Sequence, residues 1–498
     1  MFRCHTPCLP GVWRPLVHSP CHHNLAEGLR LRTMRAFDPP TDCGIKHFQR
    51  TIRLMGRVAC SRLGQVERWP HQKVVDSYKV SRLRVRYQTA CDSLRDDGLA
   101  TPKDARVDAF VKAEKLIRYK VHKPRIIMGR SPRYNLELAS YLKPLEHVLY
   151  PALRGYGSRF LTKTRLIGKG LNGKERASLI RTKLYSTPGL VAVEIDGVSF
   201  ESHFSKAILA AEHDFYLRFF SGEERRRLQQ LLSWQQEFKG MGEGLTFRAS
   251  GVRASGDFNT GLGNTLVMLT LVQMVASRCP GRYDVLADGD NALLFIPEEH
   301  LDVWREQVVA VTATAGFEMT IEQPVSDLRK VVFGQSKPFY DGESWKMVRD
   351  PMKVLSHAAC GYRHYHDLRG GLRVLKSVAY CEAVLSAGVP VLQEYAHSLL
   401  ALTSGVTFSR AEPDDYVYAS LVAKGVDWAA TRKLPITARA REDFEVSFGI
   451  CVEDQLRWEE LLRKPIALPS AWPPPSEDTP DIRHVDTFPF DELGDPFE

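Results

Sequence analysis

The stretch Tyr283-Asp284-Val285-Leu286-Ala287-Asp288-Gly289-Asp290-Asn291-Ala292-Leu293-Leu294-Phe295-Ile296 decides how the chain is read. Two short apolar runs flank an acidic turn, and Asp-Gly between such runs is a strong hairpin signal. The hairpin fixes Asp288 and Asp290 at the end of two buried strands. Rigid carboxylates at a strand turn suit a hard divalent cation such as Mg²⁺. Taken alone, the same residues also read as a solvated surface turn.

Two upstream stretches bear on that choice. Gly189-Leu190-Val191-Ala192-Val193-Glu194-Ile195 follows a proline and reads as a buried strand that delivers Asp196 at its carboxyl end. A second carboxylate, Glu201, comes five positions later. Between strand and hairpin lies Gly251-Val252-Arg253-Ala254-Ser255-Gly256-Asp257-Phe258-Asn259-Thr260-Gly261-Leu262-Gly263-Asn264-Thr265. Ser255-Gly256 opens a loop, and a helix starting near Asn259 carries Thr260 and Asn264 on one face. The apolar run from Leu266 to Val275 buries that helix.

In this order, a strand-end Asp, then S-G-x-x-x-T-x-x-x-N, then a G-D-D-like hairpin resemble motifs A, B and C of viral RNA-dependent RNA polymerases. Phe110-Val111-Lys112-Ala113-Glu114-Lys115, Lys123-Pro124-Arg125-Ile126-Ile127 and Arg130-Ser131-Pro132-Arg133-Tyr134-Asn135 are similar to motif F of the tombusvirus-like group of positive-strand RNA viruses. Phe333-Gly334-Gln335-Ser336 and Met347-Val348-Arg349-Asp350-Pro351 resemble that group's motifs after the hairpin. The resemblance runs from about Phe110 to Gln393.

The resemblance implies a right-hand α/β (α+β) fold with fingers, a palm built on a small antiparallel sheet, and a helical thumb. It implies RNA-directed RNA polymerase activity using two Mg²⁺ (or Mn²⁺) ions, with Asp196 and Asp290 as the metal pair and Asn291 beside them. Lys112, Lys115 and Arg125 become candidates for contacting the triphosphate. Glu201, Ser255, Thr260 and Asn264 occupy the positions that select ribose, Gly256 allows close approach of template or nucleotide, and Lys330 is the candidate proton donor to pyrophosphate. Template and nascent RNA and ribonucleoside triphosphates are the implied partners, together with viral or host replication proteins. Two departures stand out: Glu201 where the pattern has Asp, and Gly-Asp-Asn where it has Gly-Asp-Asp. Asn291 keeps an oxygen but loses the charge. A catalytically weak or inactive polymerase-fold RNA-binding protein is therefore the alternative reading. A reverse transcriptase fits less well, because Asn264 and the basic 110–133 segment speak for ribonucleotides.

Composition agrees with a polyanionic partner: the net charge is +9 and the pI about 9.0, with 44% hydrophobic residues to build a core. The ten cysteines have no regular spacing, which points to reduced thiols. No apolar run reaches the ~20 residues that span a bilayer. The expected location is host cytoplasm, with recruitment to membrane-associated replication sites through partners. No helicase P-loop, G-x-S-x-G or zinc-protease signature occurs.

The chain divides into an extension (1–45), fingers (46–188), palm (189–355), thumb (356–465) and a Pro-rich acidic tail (466–498). The extension reads as loosely packed; Cys4, His5, Cys8, Cys21, His22 and His23 can also be drawn as a zinc cluster, though the spacing fits no finger pattern. Residues 46–100 read as amphipathic helix, then loop, with a basic face that either follows an RNA backbone or is simply solvated. Helices are expected over 134–150, 174–186, 205–220, 223–238 and 301–315, and a strand over 317–321. Residues 330–333 are expected to pair with 345–348 around Asp341-Gly342.

Overall fold

The computed structural model describes residues 3–4, 6–34, 37–117, 119–361, 367–408, 416–464 and 482–483. In chain order, the elements that matter here begin with helices α1 (His22–Leu29) and α2 (Asp42–Leu63). Strands β1 (Val107–Val111) and β2 (Ile126–Arg130) follow, then helices α3 (Pro132–Ala152) and α4 (Gly173–Leu184). Next come β3 (Leu190–Gly197), α5 (Lys206–Leu217), α6 (Gly222–Ser233), β4 (Glu237–Gly242), β5 (Leu245–Ser250) and α7 (Thr260–Ala276). The hairpin β6 (Asp284–Asp288) and β7 (Asn291–Pro297) leads to α8 (Leu301–Thr314) and β8 (Met319–Ile321), and β9 (Ser336–Tyr340) pairs with β10 (Trp345–Arg349). Helices dominate after that, including Leu368–Leu385, Leu392–Leu402, Ala438–Phe448 and Val452–Arg463. The expected mixture of helices and small sheets is present.

The central sheet has the order β8-β3-β7-β6, all antiparallel. Period-two alternation gives it two faces. Val191, Val193 and Ile195 of β3, with Val285, Ala287, Ala292, Leu294 and Ile296 of the hairpin, join the large core under α7 and α8. Leu190, Ala192, Leu286, Leu293 and Phe295 face a smaller core made with Ile180 and Leu184 of α4 and with Leu328, Val331 and Phe333. Burying each Val, Leu, Ile or Phe here is worth about 1.5–3 kcal/mol. A strand covered on both faces reads as a continuous apolar run, which is why β3 and the hairpin strands were legible.

The polar residues of the second face are tied down individually. Lys183 of α4 and Asp284 form a fully buried ion pair at 2.7 Å, and Thr162 also donates to Asp284. Asp288 receives Lys169 at 2.6 Å and Arg176 at 2.7 Å.

A second sheet, ordered β2-β1-β4-β5, carries the basic segment. Here the structure departs from expectation. The helix expected to reach Phe238 stops at Ser233, and the β4–β5 hairpin follows. Gly240 sits on the buried face of β4, so the apolar alternation that marks a strand is weak. Residues 46–100 hold α2 and two more helices, His71–Asp76 and Ser81–Asp96, where a loop was expected. The strand expected at 330–333 is displaced: Leu328–Lys330 form a 3₁₀ turn capped by Asp327, and pairing begins at Ser336. The extension is also more ordered than its sequence suggests. Leu25 and Leu29 of α1 are buried against Val107, Ala109, Ile126 and Met128, a contact too short in sequence to show a period. Among the described residues no group of three or more His, Cys, Asp or Glu side chains is placed to hold a metal ion, so none supports the zinc cluster; the side chains of Cys4 and His5 lie outside that set. The acidic tail does too, except for 482–483.

Gly256 was expected to admit template or nucleotide. Its close neighbour is instead this chain's own backbone: a Cβ there would lie 2.2 Å from the carbonyl oxygen of Met128 in β2. Gly256→Ala should therefore cost about 1–3 kcal/mol by overpacking. Gly129→Ala is the control, since its Cβ meets nothing nearer than 3.8 Å. Thermal melting of both variants checks this; equal melting temperatures would refute the close-approach role.

Candidate active site

Strand register builds the site. Asp196, at the end of β3, pairs directly with Asn291 at the start of β7, and Asp288 closes the hairpin opposite Asn291. Gly289 and Asp290 form the two-residue turn. Gly289 takes φ 73°, as the first position of such a turn requires. The turn is clamped from two sides. The Gly289 amide donates to Thr265 Oγ1 at 2.8 Å, and the Gly197 amide donates to the Asp290 carbonyl at 3.1 Å. Asp290 thus sits beside Asp196 on elements that cannot move independently.

Neither carboxylate has a salt bridge among the described residues. Burial first, and then the neighbouring charge of Asp290, push the Asp196 carboxyl up to about 6, partly opposed by the Gly197 amide. Asp290 is raised as well, first by burial and then by Glu201, with Arg125 and Lys169 acting in the opposite sense. Burial likewise raises Glu194, whose Oε1 accepts from Asn291 Nδ2 at 2.6 Å. The other end of that amide, Oδ1, is buried and has no hydrogen-bond partner among the described residues. Such an orphaned acceptor costs about 1–3 kcal/mol unless something fills its place.

These observations fit a divalent cation of the Mg²⁺ or Mn²⁺ type. The free donors are all oxygens, two of them mutually repelling carboxylates and one an unsatisfied amide. They are too few to enclose an ion. Mg²⁺ commonly binds one or two carboxylates and takes its remaining oxygens from water and substrate phosphates.

Asn264, buried in α7, bridges two groups. Its Oδ1 accepts from Arg253 Nε at 3.2 Å, and its Nδ2 approaches Glu201 Oε1 at a long 3.5 Å. The structure thus brings Asn264 and Glu201 together. Ser255 and Thr260 are spent locally: Ser255 donates to the Ile126 carbonyl at 2.7 Å, and Thr260 to the Asp257 carbonyl at 2.9 Å. The loop they belong to is fixed by two buried ion pairs, Arg130–Asp257 and Arg253–Glu212.

The basic candidates divide. Arg125 is half exposed, and Glu114 lies between it (3.6 Å) and Lys112 (3.2 Å). Lys115 donates to the His357 carbonyl at 2.7 Å. Lys330 is exposed in its turn, with no bond to Asp196, Asp290 or Asn291 among the described residues. Sequence reading missed Arg32, Lys169 and Thr265. Arg32 feels the charges of Glu201 and Asp290. No local pattern marks it, because the segment carrying it comes from the far end of the chain.

A cleft of about 990 Å³ lies elsewhere, at the start of β6, between α2 and the end of α7. Lys46, Arg50, Arg159 and Arg278 line it, and none of the candidate site residues does.

A family model described as viral RNA dependent RNA polymerase matches residues 14–465. The chain belongs to this family. It is 34% identical over 335 residues to the RNA-directed RNA polymerase of Turnip crinkle virus, covering 66% of this chain and 41% of that protein. It is 31% identical over 420 residues to that of Groundnut rosette virus (strain MC1), covering 81% and 47%, and 29% identical over 473 residues to that of Tomato bushy stunt virus (strain Cherry), covering 91% and 55%. The chain spans about half the length of these relatives.

Because the native state holds the Asp196 proton more tightly than the unfolded chain does, this carboxyl contributes less stability as pH rises from 3.8 towards about 6. Asp196→Asn should then melt higher than wild type at pH 7.5 in a chelator, by on the order of 1–3 °C after solvent screening. The gap should close as pH falls towards 4. A gap of constant size across that range would refute the repulsion.

Proposed function

We propose that this chain is an RNA-directed RNA polymerase that replicates a positive-strand RNA virus genome. The observation that carries the reading is the pair Asp196–Asp290, locked together at the β3 end and the β6–β7 turn and without a salt bridge among the described residues. In this reading β3, β6, β7 and β8 form the palm within 189–355. Residues 46–188, with β1 and β2, form the fingers, and the helices of 356–465 form the thumb. The protein works in the host cytoplasm and reaches membrane-associated replication sites through viral or host partners; no described helix is long and apolar enough to cross a membrane.

Asp196 and Asp290 would hold the two divalent cations that such a reaction uses. When bound, such ions activate the attacking 3′-hydroxyl and neutralise the leaving oxygens. Arg125 and Lys112, exposed beside the site, neutralise the incoming triphosphate, and Lys169 and Arg32 add positive potential. Asn264 and Glu201 offer polar groups to the ribose 2′-hydroxyl, and a site that pairs a substrate hydroxyl rejects the analogue lacking it. Exposed Lys46, Arg50, Arg53 and Arg57 line one side of α2, and none makes a salt bridge among the described residues. Such a row suits a nucleic-acid backbone.

Purified protein should incorporate labelled ribonucleotides on an RNA template in Mg²⁺ or Mn²⁺, and Asp290→Ala should lose at least about 100-fold of this. RNA binding without incorporation in either metal would favour the alternative, a polymerase-fold RNA-binding replication protein. Asn264→Leu should lower the preference for ribo- over deoxyribonucleotides by on the order of tenfold or more, measured as the ratio of kcat/KM values. An unchanged ratio would remove Asn264 from sugar selection.

A further inference from the structure

Glu194 is the one charged residue in the run Leu190 to Ile195, and strand alternation puts it on the same face of β3 as Asp196. The two acids of β6 on this face have cations: Asp284 has Lys183, and Asp288 has Lys169 and Arg176. Glu194 makes no salt bridge among the described residues. Its close partner is the amide of Asn291, which stands directly opposite Asp196 in the sheet. A carboxylate only accepts hydrogen bonds, so it selects the NH₂ end of that amide. The remaining oxygen is left buried and without a hydrogen-bond partner among the described residues.

We propose that Glu194 is a positioning residue: by holding the NH₂ of Asn291 it keeps the amide oxygen available as a third donor to the cation site of Asp196 and Asp290. The inference rests on the metal-dependent reading above. It also accounts for the Gly-Asp-Asn turn. The negative charge absent at 291 is present one strand over, at 194, hydrogen-bonded to the residue that lost it. With the amide reversed, its oxygen would face the Glu194 carboxylate and its NH₂ would face the cation; both contacts are repulsive.

The test is Mn²⁺ binding, read by electron paramagnetic resonance on the full chain without RNA or nucleotide, with thermal melting as a folding control. Glu194→Gln no longer fixes which end of Asn291 it meets, and should weaken Mn²⁺ binding by about 10-fold or more, as loss of a ligand-orienting partner does. Asn291→Asp alone places two carboxylates in contact and should also weaken it. The double variant E194Q/N291D restores one carboxylate and one amide in the opposite order. It should bind Mn²⁺ at least as well as wild type, and the Mg²⁺/Mn²⁺ ratio of nucleotide incorporation should recover with it. Wild-type affinity in Glu194→Gln, or no recovery in the double variant, would overturn the proposal. Wild-type protein that binds Mn²⁺ but incorporates nothing would sink the polymerase reading, while the swap still decides the role of Glu194.

Discussion

The antiparallel register of β3 against β7 is the constraint on which the rest of the site depends. It sets Asp196 beside the acidic turn, and among the described residues no salt bridge relieves the charge repulsion there; Arg125 and Lys169 only offset it from a distance. The surroundings resist that repulsion mechanically. Thr265 holds Gly289 from α7, Gly197 holds the Asp290 carbonyl, and the sheet is buried on both faces. The apolar cores thus stabilise an arrangement whose electrostatics alone would drive it apart, and they leave a place where a dication is favoured.

What was legible in the sequence follows from range. The β6–β7 hairpin, β3 and α7 were readable because their signals are local: a Gly in the turn and unbroken apolar runs. The order of the motifs also suggested that Asp196 and Asp290 lie together. The basic side of the site was less legible. Lys112 and Arg125 share Glu114, and Lys115 is taken by a carbonyl 242 residues away, which no local pattern announces. Ser255, Gly256 and Thr260 look like substrate-facing residues in sequence, yet their bonds and close contacts run to β2 and to their own loop. Arg32 was hidden for a related reason. The short helix before it packs against strands far along the chain, at 107–111 and 126–130, so neither period nor capping signals it.

Lys330 illustrates a different limit. Distance along the chain from the hairpin suggested it, but Asp327 caps a tight turn there and leaves the lysine in solvent. The true start of the following strand, Ser336, lies beyond the buried anchors Val331 and Phe333, whose apolar character had mimicked a strand.

The two cation-bound aspartates of β6 have one more consequence. A one-residue slip of a strand turns every side chain to the other face. For β6 that would carry Asp284 and Asp288 away from Lys183, Lys169 and Arg176 and into the aliphatic core where Val285 and Ala287 now sit. An isolated buried ion pair does little for net stability, but separating one strands a charge in oil at a cost of about 3–5 kcal/mol. Lys183, Lys169 and Arg176 therefore act as a spelling check on the strand: they make every misaligned hairpin expensive, and so fix where Asp290 falls without touching it.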